Sequence, residues 1–415
     1  MTRADFELLL SAEGAALLAE VGALKDTGDV LGQVTRLRAA GHSPQLVAAV
    51  LTQAKLRRRA VAKFGDFAAQ MLFTEDGLEQ ASRLSVAAQH AERFRAAGLT
   101  RVADLGCGIG SQSMAMASLD MQVQAIDIDE VAAAAATHNL RFFENVNVTC
   151  ADVTTLDPTN SDSAIFKSTD AYFFDPARRE LGGSKRERAV RKFDPSEYSP
   201  NFDFVLAAAR AKPTGIKLGP GHPHEAIPED CEAQWISVDG DLVECTLWFG
   251  DALARKGVAR SALLIGKTGR HELTSASFER VDAPIGELGE FIYEPDAAII
   301  RSHLIGDLAL QLGLRIFSNE IAYLTGEQDV DSPWLKKYRL IDNLVFDRKK
   351  LKALLRERGI GILEIKKRGA DIEPEQLRKE LDLKGKGAAT LIITRVGDAH
   401  RALLAEHIPK VVAAQ

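Results

Sequence analysis

Nine residues, Val102-Ala103-Asp104-Leu105-Gly106-Cys107-Gly108-Ile109-Gly110, constrain this chain more than any other stretch. The apolar run Arg101 to Leu105 predicts a buried strand, three glycines at alternate positions end it, and Gln112 to Leu119 carries a helical pattern. A glycine turn between strand and helix lets a ligand reach backbone amides that no side chain shields, beside the partly positive start of the helix. Something small and polar is expected there. The dinucleotide turn requires Gly-x-Gly-x-x-Gly, whose last glycine packs helix on strand under a pyrophosphate. Here the glycines stand at 106, 108 and 110, and position 111 is Ser111, so the spacing departs from that pattern.

At 415 residues the chain is long enough for two or three domains. Hydrophobic residues at 46% and charged residues at 27% fit a globular protein. A net charge of -6 argues against wholesale non-specific coating of nucleic acid, while leaving room for a local basic face. Cys107, Cys150, Cys231 and Cys245 are widely spaced without a C-x-x-C pair, which suggests neither a zinc ribbon nor a disulfide framework and fits a reducing compartment. Acids at Asp5, Glu7, Glu13 and Glu20 make the N-terminus an amphipathic helix and not a signal peptide. No apolar run approaches the roughly 20 residues of a membrane span. A cytoplasmic protein is expected, with no membrane partner.

Residues 1 to 95 lack strand alternation and are rich in Ala, Leu, Arg and Glu, which predicts a helical N-terminal domain. Ser43-Pro44 reads as a helix start, cap then first residue, and the helix runs through Leu56 into Arg57-Arg58-Arg59. Those arginines suit either phosphate contacts or an ordinary solvated helix end. Gln80, Ser82 and Arg83 precede the glycine turn closely, as pocket residues or as cap and surface polars.

Past the turn, Gln122 to Ile126 alternates as a strand and delivers Asp127, placed to accept hydrogen bonds from a ribose diol. Asp129 and Glu130 open the helix 131 to 137, where capping explains them. A third strand, Val146 to Cys150, ends in Asp152-Val153, and a fourth, Asp170 to Phe174, ends in Asp175-Pro176-Ala177-Arg178-Arg179. From Arg178 to Lys192 seven basic residues face two acids, a net of +5 that suits ordering on a polyanion as well as a plain solvated loop. A fifth strand, Gly215 to Leu218, carries Lys217 as a pocket candidate, and Gln234 to Val238, Leu242 to Trp248 and Ala262 to Ile265 supply the closing strands. His222-Pro223-His224 lacks further ligands around it, and no metal is expected. From about Pro295 a small mixed α+β region follows, with 13 basic and 9 acidic residues between Ile341 and Gly387.

Asp104 followed by Gly106, Gly108 and Gly110, the strand ends Asp127 and Asp152, and Asp175-Pro176 together resemble the class I S-adenosylmethionine (SAM) methyltransferases, in particular those allied to the trimethylguanosine-synthase type of RNA guanine-N2 enzymes. Tyr293-Glu294-Pro295-Asp296, Ile321-Ala322-Tyr323-Leu324-Thr325 and Glu364-Ile365-Lys366-Lys367-Arg368-Gly369 resemble the THUMP-like domain attached to such cores, so the likeness covers roughly residues 64 to 400. The resemblance implies an α/β fold: a Rossmann-like, seven-stranded core at 96–290 between a helical domain at 1–95 and a THUMP-like α+β domain at 291–415. It implies SAM as cofactor, bound by Asp104, Gly106, Gly108, Gly110, Asp127 with Ile128, and Asp152 with Val153, the last acid recognising the adenine amino group.

Amine-methylating members carry Asp/Asn/Ser-Pro-Pro-aromatic after the fourth strand. Asp175 and Pro176 match it and are expected to be catalytic, whereas Ala177 and Arg178 depart from it and remove the aromatic platform. Arg178, Arg179 and Lys217 are expected at the substrate, with an arginine plane able to stack on a base. The reading is methyl transfer to an exocyclic amine of a base in rRNA or tRNA. A small-molecule or protein methyltransferase, and a module that binds SAM without transfer, are the alternatives. Oligomeric state is not legible.

Overall fold

Side-chain caps punctuate the first hundred residues. Thr2, Asp29, Ser43 and Thr74 each accept the backbone N–H three residues on, and each opens a helix. The elements are α1 (Arg3–Leu10), α2 (Ala12–Ala23), α3 (Val30–Ala39), α4 (Pro44–Phe64), α5 (Glu75–Gln80) and α6 (Leu84–Ala96). Pro44 sits in the first turn of α4 as expected, and Gly65, at φ 55°, ends that helix well beyond Arg59. The computed structural model describes residues 1–23, 29–156, 167–178, 198–267, 269–397 and 399–410.

A strand–helix alternation follows: β1 (Arg101–Leu105), α7 (Ser111–Ala117), β2 (Gln122–Asp127), α8 (Glu130–Asn139), β3 (Val146–Cys150) and β4 (Ala171–Phe174). Then come the two-residue strands β5 (Ala177–Arg178) and β6 (Tyr198–Ser199), α9 (Phe202–Ala211) and β7 (Thr214–Leu218). Strands β8 (Glu232–Val238), β9 (Asp241–Phe249), β10 (Arg260–Gly266) and β11 (Gly269–Ser275) complete a nine-stranded sheet in the order β11-β10-β8-β9-β7-β4-β1-β2-β3.

From β7 to β3 the paired neighbours β4, β1 and β2 run parallel, and the order reverses direction at β1, where consecutive crossovers diverge and leave a crevice at the strand ends. The expected seven-stranded sheet is therefore extended to nine. Strand β10 pairs parallel with β8, and β11 folds back on β10. Asp170, expected inside the fourth strand, lies before it and accepts from the Thr100 and Arg101 amides.

The chain divides into two compact units: Met1–Leu218 with His222–Cys231 and Thr246–Lys256, and Gly219–Gly221, Glu232–Cys245 with Gly257–Gln415. In the first, a single hydrophobic core runs from Phe6, Leu46 and Phe73 to Ile109, Met114 and Trp248, so the N-terminal helices and the glycine turn share one packed interior.

The second unit contains β12 (Phe291–Pro295), α10 (Ala297–Arg301), α11 (Ile305–Leu312), β13 (Arg315–Ile316), β14 (Leu324–Gly326) and β15 (Leu335–Val345). After them come α12 (Arg348–Glu357), β16 (Ile360–Lys367), α13 (Pro374–Leu381), β17 (Gly387–Val396) and β18 (Ala399–Ile408). Its sheet has the order β13-β14-β12-β15-β18-β17-β16, with only β16 and β17 parallel, joined through α13. Leu351 and Leu355 of α12, and Leu377 and Leu381 of α13, recur at i, i+4 and bury one face of each helix against Leu363, Leu391 and Ile393.

Candidate active site

The glycine turn is built as its composition requires. Gly106, Gly108 and Gly110 have φ of 91°, 56° and 88°, the left-handed region that other residues adopt only with strain. A Cβ on Gly106 would lie 2.7 Å from the Asp175 carbonyl oxygen, so β1 and β4 can approach only with glycine there. Around the Cβ position of Gly108, by contrast, nothing among the described residues lies within 4 Å. That face of the turn is open.

Asp104, the last acid of β1, is 1% exposed. One carboxylate oxygen accepts the Ser113 hydroxyl at 2.5 Å, and the other, Oδ1, is buried with no hydrogen-bond partner among the described residues. Burial pushes this carboxyl up to about 7, the neighbouring Asp175 and Asp127 push the same way, and Ser113 and Lys217 oppose them. A buried carboxylate oxygen facing other carboxylates is a place for a cation. SAM carries two positive charges, on sulfonium and ammonium, and the open Gly108 face offers it room; the residues present fit the cofactor.

Asp127 ends β2 and accepts the Gly108 amide at 2.7 Å on one oxygen and the Asp129 amide at 2.9 Å on the other, which ties the second strand end to the turn. Each oxygen keeps a second lone pair. Burial raises its pKa, and those two amides counteract it. Asp129 caps α8 through the Val131 and Ala132 amides, as its sequence position indicates. Ile128 between them is 62% exposed.

Asp152 stands past β3, whose register sets Cys150 against Asp127. Its Oδ1 accepts the Thr154 amide and hydroxyl at 2.9 and 2.7 Å, and Val153 beside it is buried.

Asp175 follows β4, with its amide on the Leu105 carbonyl at 3.1 Å. Lys217 at the end of β7 donates to Asp175 Oδ2 at 2.6 Å and to the Gln80 carbonyl at 2.8 Å. The chain thus brings Asp104, the glycines, Asp127, Asp175 and Lys217 together, and adds α5 through the Gln80 backbone. Pro176 is buried and Ala177 exposed. Arg178 pairs by backbone with Tyr198 in β6, whereas Arg179 and the basic segment up to Lys192 lie outside the described residues. His222 is buried, with Nδ1 3.1 Å from the Tyr198 hydroxyl.

Two contributors escaped sequence reasoning. Ser113 holds Asp104 from one turn into α7. Asn139, 3% exposed, donates to the Leu72 and Ile109 carbonyls at 3.0 and 2.9 Å and accepts the Leu72 amide at 2.7 Å, clamping the segment before α5 to the glycine turn. Cys107, within the turn, has its thiol pushed well up by burial, so it is no ready thiolate.

A parallel sheet with a glycine turn at its order reversal, an acid at each neighbouring strand end and Asp-Pro after the fourth strand define a class I SAM-dependent methyltransferase. Comparisons agree. Family models match a methyltransferase domain at residues 102–191, a THUMP domain-like region at 335–407 and a domain of unknown function at 2–60. An uncharacterized S-adenosylmethionine-dependent methyltransferase of Mycobacterium tuberculosis, found in two strains, is 31% identical over 371 residues, spanning 87% of this chain and 95% of its own. The “putative methyltransferase” of Porphyromonas gingivalis W83, a crystal structure, superposes with a TM-score of 0.70 at 20% identity, over 93% of this chain and 100% of that one, and so shares the fold. The chain belongs to the family of SAM-dependent methyltransferases that carry a C-terminal THUMP-like domain. Among the described residues no helix is long and apolar enough to cross a membrane.

Proposed function

We propose that the enzyme methylates an exocyclic amine of a base in structured RNA. The observation that carries this reading is Asp175: its backbone packs on Gly106 and its carboxylate is held by Lys217 beside the open face of the glycine turn. The cofactor, when bound, supplies an electrophilic methyl group on a sulfonium. Asp104, Gly106, Gly108, Gly110, Asp127, Ile128, Asp152 and Val153 form its site in this reading, with the Asp104 Oδ1 atom set against positive charge. Asp175 accepts a hydrogen bond from the amine and aims the nitrogen lone pair; Pro176 fixes the backbone that carries it. Catalysis then rests on orientation and exclusion of water, without a covalent enzyme intermediate. Arg178, Arg179 and the basic segment after them are assigned to the substrate, as is the THUMP-like match within residues 291–415.

The test is transfer of labelled methyl from SAM to size-fractionated RNA from a strain lacking the gene. Label entering one RNA species with the intact enzyme, and none with Asp175→Ala, is expected. No label in any RNA while SAM still binds would turn the reading to a small-molecule or protein substrate.

A further inference from the structure

Arg57 on α4, His138 at the end of α8 and Arg141 just beyond it converge on two consecutive carbonyls. Arg57 Nε donates to the Met71 carbonyl at 2.8 Å, and Arg141 Nη1 to that of Gln70 at 3.4 Å and of His138 at 2.6 Å. His138 Nε2 lies 3.2 Å from the Gln70 carbonyl. No carboxylate among the described residues pairs with any of the three. Arg59, two residues from Arg57, pairs with Glu75 and Glu79, so this absence is not general to the helix.

The charges are costly where they stand. Burial and the nearby Arg141 lower the Arg57 guanidinium to about 10, and burial with the two arginines pushes the His138 imidazole down to about 4. Beside them Phe142 is 68% exposed, with the Arg141 guanidinium carbon 4.1 Å from its ring centroid. Two partly desolvated arginines held by carbonyls, with no carboxylate partner among the described residues and an exposed ring beside them, are not what stability alone selects.

We propose that Arg57, Arg141 and Phe142 form a docking site for the RNA substrate, the two guanidiniums taking backbone phosphates and Phe142 stacking one unpaired base. The proposal rests on the RNA reading above. Guanidinium forks suit phosphate oxygens bidentately, and an aromatic face accepts any base. Free phosphate would engage the arginines and leave the ring unused. Arg141 and Phe142 follow Asn139 by two and three residues, and the Asn139 amide reaches the Ile109 carbonyl of the glycine turn, so docking there and the cofactor turn share a covalent and hydrogen-bonded support.

The experiment measures binding of the full-length protein to fluorescently labelled RNA, extracted from a strain lacking the gene, across a salt series. It compares the intact protein, Arg57→Gln/Arg141→Gln, Phe142→Ala and, as a matched surface control, Arg210→Gln. Arg141 and Phe142 are exposed, so Arg141→Gln alone is carried as well, and SAM affinity reports that each variant is folded. The double variant is expected to lower the slope of log K against log salt by about 1.4 to 1.8, which is two phosphate contacts at roughly 0.7 to 0.9 each. Phe142→Ala is expected to weaken binding about tenfold with the slope kept. Arginine variants that bind RNA like the intact protein overturn the proposal and leave the RNA reading standing. An unchanged affinity for Phe142→Ala overturns the stacking half, and an intact protein that binds no RNA at low salt removes both readings together.

Discussion

Gly106 lies under the carbonyl of Asp175, with 2.7 Å between that oxygen and the place a Cβ would occupy. The cofactor turn and the proposed methyl-transfer residue are thereby fixed to each other through backbone, independent of any side-chain rotamer. Gly108, two residues on, meets no such obstacle.

Alanine at these two glycines should therefore fail in different ways. Gly106→Ala combines a left-handed φ with a backbone collision and should cost roughly 1 to 3 kcal/mol of stability, with a lower melting temperature. Gly108→Ala, at φ 56° in open space, should cost about 1 kcal/mol and leave the fold intact, while its methyl group obstructs the cofactor. Melting temperature and SAM calorimetry on both variants check this. Equal stability loss with equal SAM affinity would refute the assignment of the Gly108 face to the cofactor.

Asn139 provides a test of the clamp. Asn139→Ala leaves the buried Leu72 amide and the Leu72 and Ile109 carbonyls without their side-chain partner, at about 1 to 3 kcal/mol per group left unsatisfied. Urea unfolding should show a loss of several kcal/mol. A midpoint within error of the intact protein would mean that water replaces the amide at no net cost.

The acids at strand ends were legible because each depends on a short window: an apolar run, a glycine or Asp-Pro turn, a helix start. Asp104, Asp127 and Asp175 needed only that local grammar, and the fold brings them near one another. The Asn139 clamp and the Arg57–Arg141 pair were hidden, since each joins segments far apart in the chain and neither residue type is unusual on a helix. Arg57 itself was visible as one of three arginines; that it turns to the Met71 carbonyl while Arg59 finds carboxylates depends on tertiary packing. Of the closing strands, Ala262 to Ile265 was legible and β11 was not, for a related reason: β11, at Gly269–Ser275, is an edge strand rich in polar residues. Such a strand carries little alternation to read.

If Asp104 Oδ1 meets the cofactor's positive charge, as proposed, cofactor affinity should depend on pH. Its folded pKa, about 7, lies above the unfolded value near 3.8, so between those values the folded state binds more protons than the unfolded one. Its contribution is fully present below about 4 and is lost as pH rises to 7. A cation beside Oδ1 favours the ionised form, so SAM binding should release a proton near pH 6.5, and SAM affinity should rise with pH toward about 7 and then level off. Asp104→Asn should bind SAM more weakly and lose that pH dependence. Calorimetry in buffers of different ionisation enthalpy reads the proton directly; no proton release with the intact enzyme would place Oδ1 away from the cofactor's charge.

Binding and transfer should separate at the two ends of the site. Asp127 holds the turn through the Gly108 amide, so Asp127→Ala removes charge-assisted bonds of roughly 1.5 to 3 kcal/mol and should raise the Kd for SAM tenfold or more. At saturating SAM its kcat should recover most of the intact value. Lys217 touches the Asp175 carboxylate and the Gln80 carbonyl. Lys217→Met should leave the Kd for SAM within about twofold and lower kcat, because Asp175 loses the group that holds its orientation. Steady-state kinetics with the methylated RNA fraction, alongside SAM calorimetry, distinguish the two. If both variants lost SAM affinity in parallel, Lys217 would belong to the cofactor site, and Asp175 would have to be oriented by its backbone alone.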